Sequence, residues 1–122
     1  MKLFVLSLFI FLSSFSAISA QRQVTHLVLF KLKAGIGKDD PRFKAAISLA
    51  KTLPRKIKEI EDCSMGENFS TRPIAYDFGL SVIFPSRKNL TAYLIHPAHV
   101  EVVEAWKEIA DWNIVDFEES ED

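Results

Sequence analysis

His26, His96 and His99 are the chain's three histidines, and with Tyr93 and Cys63 they are the side chains best suited to chemistry. An imidazole ionises near neutral pH, so it can take a proton from carbon or oxygen under physiological conditions. A phenol beside it can hold a developing oxyanion by hydrogen bonding. His99 and Tyr93 fit these two roles by type, as an acid/base pair. The stretch that joins them, Leu94-Ile95-His96-Pro97-Ala98, contains a proline that breaks a helix and can begin the next one. A structural reading therefore stands beside the catalytic one, and it is the weightier: both imidazoles could bond backbone groups left open at the helix ends. His26 lies among apolar neighbours, as a hydrogen-bonded core residue or a ligand contact. His96 and His99 straddle the proline break, and zinc wants three or four converging ligands with thiolate or carboxylate support, so no metal is expected. Cys63 is the lone cysteine, so no internal disulfide can form, and it reads as a buried apolar thiol. No glycine-rich phosphate loop, Ser-His-Asp spacing or dinucleotide fingerprint is present, and no cofactor is expected.

The elements that must position these groups follow from apolar spacing. Val24 to Lys33 reads as a strand covered on both faces, with Val24, His26, Val28, Phe30 and Leu32 on the side assigned to a barrel interior. Asp40 caps a helix that starts at Pro41, carries Phe43, Ala46, Ile47, Ala50 and Leu53 inward, and stops at Pro54. Lys56 to Asn68 reads as a second extended stretch whose broken alternation implies a bend or bulge. Tyr76 to Phe84 is a third strand, with Phe78, Leu80, Val82 and Phe84 on one face. Ser86 caps a helix over roughly Arg87 to Ile95. Pro97 opens another, lined by Val100, Val103, Trp106 and Ile109 or Ala110. Trp112 to Phe117 closes the order as a strand. That order, βαββαβ with the second helix broken, is the ferredoxin-like α+β arrangement: a four-stranded antiparallel sheet with helices on one face.

Residues 1–20 stand apart. Met1-Lys2 is a short positive start, Leu3 to Leu12 is apolar, and Ser13 to Ala20 turns small: the order of a cleaved signal peptide, with an uncleaved membrane anchor as the alternative. Cleavage before Gln21 leaves 122 − 20 = 102 residues, with 14 basic against 16 acidic side chains, a net charge of −2. The protein is therefore expected to be exported, periplasmic or secreted. That balance offers no basic footprint for nucleic acid and, once the leader is gone, no membrane-binding helix. Residues 21–117 form one domain, and 118–122 an acidic tail. A disulfide-free domain of this size has a limited core, and its sheet has apolar residues on both faces. The economical cover for the second face is another copy of the chain, giving a homodimer whose two sheets close into a barrel.

Several stretches together resemble the Dabb family of stress-responsive dimeric α/β-barrel proteins. They are Thr25-His26-Leu27-Val28-Leu29-Phe30-Lys31-Leu32-Lys33, Gly66-Glu67-Asn68-Phe69-Ser70, Tyr76-Asp77-Phe78-Gly79-Leu80, Tyr93-Leu94-Ile95-His96-Pro97-Ala98-His99-Val100 and Val115-Asp116-Phe117. The fourth, with its Tyr-x-x-His-Pro-x-His pattern, is the most specific. The resemblance implies the barrel dimer. In plant members that act as polyketide cyclases, the tyrosine and second histidine of that pattern serve an aldol-type ring closure without cofactor. This implies cofactor-independent cyclase, lyase or monooxygenase-like chemistry through His99 and Tyr93. Those cyclases carry another histidine on the third strand, where this chain has Phe78 or a close neighbour, so a more apolar pocket is implied. The plant members also lack a leader. The reading that emerges is an exported homodimer that binds a small apolar or aromatic molecule, with His26, Phe78 and His96 as candidate contacts, and the cofactor-independent enzyme as the alternative.

Overall fold

A computed structural model describes residue 2 and residues 22–119. Apart from residue 2, the expected leader lies outside the described residues, as do residues 120–122. The order is β1 (Val24–Leu32), α1 (Pro41–Ala50), α2 (Leu53–Lys56), β2 (Asp62–Glu67), β3 (Phe78–Phe84), α3 (Arg87–Leu94), α4 (Pro97–Lys107) and β4 (Ala110–Glu118). All pairings in the sheet are antiparallel, in the order β2-β3-β1-β4. The helices cover one face of it, and this is the ferredoxin-like α+β fold that the sequence implies.

Local chemistry sets the helix starts. The Asp40 carboxylate accepts from the Arg42 amide at 2.9 Å, and Pro41 occupies the first turn, where its missing N–H costs nothing. The Ser86 hydroxyl accepts from the Asn89 amide and starts α3. Pro54 does not end a helix as expected. The chain turns at Lys51-Thr52, and Pro54 then sits in the first turn of the short α2, the one helical place that tolerates it. That turn shortens the second extended stretch to Asp62–Glu67. Ile57, which spoils its alternation in sequence, is fully buried where α2 ends. Glu118 is also not tail: it ends β4, and its carboxylate pairs with the Arg87 guanidinium at 2.6 Å.

β1 corrects the expected orientation of the sheet. Val24, His26, Val28 and Phe30 are all buried, and they face the helices within one chain rather than a barrel interior. The core there is aromatic: Phe30 stacks on Trp106 at 4.1 Å between ring centroids, and Phe43 and Phe78 pack edge-on or tilted around the indole. In α4 the inward stripe is Val102 and Trp106, flanked by His99 and Val103, while Val100 is 47% exposed. The expected stripe is thus rotated, because it passed over a polar residue, His99, that faces inward.

The opposite sheet face is open. Leu29, Val115 and Phe117 on it are 40%, 49% and 44% exposed, and register places Leu27, Gly79, Ser81 and Ile83 on the same side. Beside it the β2–β3 connection carries Phe69, 98% exposed, and Ile74, 76% exposed. This connection is tied at its base. The Asn68 amide donates to the Asp77 carbonyl, the Asp77 amide to the Phe30 carbonyl, and the Asp77 carboxylate accepts from the Leu32 amide.

Candidate functional site

A cavity of about 70 Å³ lies between the sheet and the helices α3 and α4. Its walls are apolar, from Val28, Leu80, Val102 and Val103 to Trp106 and Ile114, except where His26, Tyr93 and His99 enter. β1 supplies His26, the end of α3 supplies Tyr93, and the first turns of α4 supply His99. The break at Ile95-His96 turns the chain so that α4 returns beside α3. This brings the Tyr93 and His99 rings to 4.3 Å between centroids, and His26 meets the other side of the group edge-on, 5.7 Å from the Tyr93 ring.

Each polar group has one end fixed. His99 Nδ1–H donates to the Leu94 carbonyl at 3.1 Å, which leaves the Nε2 lone pair as the basic end of the ring. Burial pushes the His99 pKa down and keeps the imidazole neutral, an effect that the nearby His26 and His96 reinforce and the Leu94 carbonyl partly opposes. His26 Nδ1–H donates to the Asp116 carboxylate at 2.5 Å, so Nε2 is the nitrogen it has to offer a ligand. Asp116 stands opposite His26 in the β1–β4 register. Burial raises the Tyr93 hydroxyl well above the ordinary phenol range, and the Cys63 sulfur adds to this, so the group is a hydroxyl donor at neutral pH. The Trp106 indole N–H, on a ring that lines the cavity, has no protein acceptor among the described residues.

Three of the five expected site residues therefore converge: His99, Tyr93 and His26. The other two do not. Phe78 is buried in the aromatic core with Phe30, Phe43 and Trp106, and it does not line this cavity. His96 caps α4, its Nδ1 accepting from the Ala98 amide at 3.0 Å, which spends that nitrogen on the backbone. Burial pushes the Cys63 thiol up to about 11, so it carries no thiolate near neutral pH. Asp116 was not foreseen as a site residue. A carboxylate in an apolar closing strand was its only sequence signal, and its partner becomes visible only once β4 pairs with β1.

Residues 24–119 match the Stress responsive A/B Barrel Domain, Dabb. The chain belongs to this family. An uncharacterized protein of Streptomyces coelicolor is 41% identical over 95 residues, which are 78% of this chain and 98% of that one. A dimeric protein of unknown function and ferredoxin-like fold from Bacteroides fragilis superposes with a TM-score of 0.69 at 26% identity, over 80% of this chain and 97% of its own. A hydroxynitrile lyase from Passiflora edulis shares the fold with a TM-score of 0.71 at 13% identity, over 83% of this chain and 96% of its own.

Proposed function

We propose that this Dabb protein is an exported homodimer that binds a small, largely apolar molecule in the cavity formed by His26, Tyr93 and His99. The convergence of two oriented imidazoles and a phenol on an otherwise apolar cavity carries this reading. A ligand with one hydrogen-bonding group satisfies such a site: apolar atoms meet the valines and indoles, and the polar atom meets a ring nitrogen or the Tyr93 hydroxyl. At about 70 Å³ the cavity admits a few heavy atoms, or the end of a longer ligand that leaves past Leu94 and Ile114, which are 40% and 53% exposed. The open apolar sheet face, and the dimeric state of the related Bacteroides protein, support assembly as two copies. The order of residues 1–20 supports export, and the intact mass of the exported form should place its first residue near Gln21.

His99 favours a second reading, cofactor-independent acid/base chemistry. A neutral imidazole with Nδ1–H tied to a carbonyl is a base at Nε2, and Tyr93 is a donor for a developing oxyanion. A lyase on the same fold adds support for that class of reaction. The two readings share a site and one experiment. Protein beginning at Gln21 is exposed to a metabolite mixture and analysed by native mass spectrometry, beside a Val103→Trp variant that fills the cavity. The wild type should retain a small molecule that the variant does not. Equal retention by both would remove the cavity from the function. Conversion of the captured molecule, lost in His99→Ala while retention persists, would make the protein an enzyme.

A further inference from the structure

The open sheet face has a hole at one corner and a knob at the corner diagonally opposite. Gly66, Gly79 and Leu29 lie side by side across β2, β3 and β1. A Cβ at Gly66 would meet nothing within 4 Å, and one at Gly79 only Leu29 Cδ2 at 3.9 Å, so the two glycines form an open floor. The β2–β3 connection raises a wall over them with Phe69 and Ile74, making a cleft of about 390 Å³. The hydrogen bonds of Asn68 and Asp77 hold that wall to the sheet. Four residues further along the strands and on the far edge, the Phe117 ring stands on β4 beside Thr25, 44% exposed.

We propose that in the homodimer the Phe117 ring of each protomer seats in the glycine-floored cleft of its partner. This rests on the homodimer reading and goes beyond it by fixing which corners meet. A two-fold axis lying between the facing sheets, oblique to the strands, puts each knob over the other's hole at once, as an isologous interface requires. An axis parallel to the strands would set polar Asn113 over the glycines instead, since it is Asn113 that shares their row.

Cross-linking tests the corner pairing with Phe117 intact. Gly66→Cys and Thr25→Cys are combined in a Cys63→Ser background and treated with a short bismaleimide, because facing sheets stand about 10 Å apart, beyond disulfide reach. The double variant should give a covalent dimer, and neither single variant should. A native mass of two chains without cross-linking in the double variant would overturn the seat and leave the homodimer standing. A native mass of one chain for the untreated wild type would overturn both. Gly79→Phe, which fills the cleft, should raise the concentration for dimer dissociation at least tenfold, and Gly79→Ala should leave it unchanged. Dissociation of Gly79→Phe at the wild-type concentration would equally sink the proposal.

Discussion

His99 gives one ring nitrogen to the backbone and keeps the other, and this division has a measurable consequence. Because burial lowers its pKa in the folded protein, the unfolded chain binds the proton more readily. The stability linked to neutral His99 is therefore full above the ordinary value of 6.5 and declines as pH falls below it. The His99 imidazole resonances should titrate with a midpoint below 6.5, and a midpoint above it would mean that the ring is solvated or paired with a carboxylate. The His26–Asp116 pair makes a second test. Asp116→Ala leaves a buried imidazole N–H without its acceptor, a change worth about 1–3 kcal/mol in denaturant melts. Asp116→Asn keeps an acceptor oxygen and should lose less than half of that. Residue type brought forward His26, an imidazole on an apolar strand, whereas Tyr93 and His99 stood out through the Tyr-x-x-His-Pro-x-His resemblance, with residue types that suit proton chemistry. Asp116 stayed hidden because its role depends on a strand register, and Phe78 misled because a likeness to cyclases said nothing of which cavity its ring would enter.

The break between α3 and α4 holds the site together, and His96 starts the second of these helices. Its Nδ1 replaces the oxygen that serine or aspartate would supply at a helix start. His96→Ala should cost about 1 kcal/mol by thermal melt, within the range of lost caps. His96→Asn, a strong capping residue, should restore it. If neither substitution moves the melt, the cap contributes nothing. Strands β1 and β3 and the starts of α1, α3 and α4 were legible, because alternation, Asp40-Pro41, Ser86 and His96-Pro97 act locally. The ends of β2 and the inward stripe of α4 were not. Ile57 is apolar in order to plug the core from a turn, and His99 is polar while facing inward, so hydropathy periodicity misreads both.

At the scale of the whole molecule, one face of the sheet carries the core and the other is open and partly apolar. The sequence showed that both faces were apolar, but it assigned His26 and its neighbours to the wrong one. Alternation tells which residues share a face without telling what covers it. The core layer has a further use. The chain holds two tryptophans, and both line the cavity: Trp106 beneath it, stacked on Phe30, and Trp112, whose ring lies 5.7 Å from that of Phe30. The protein's tryptophan emission therefore comes wholly from the walls of the cavity proposed to bind a ligand. Occupancy should register as a saturable change in tryptophan fluorescence without any label, and Val103→Trp would add a third emitter that reports no ligand at all.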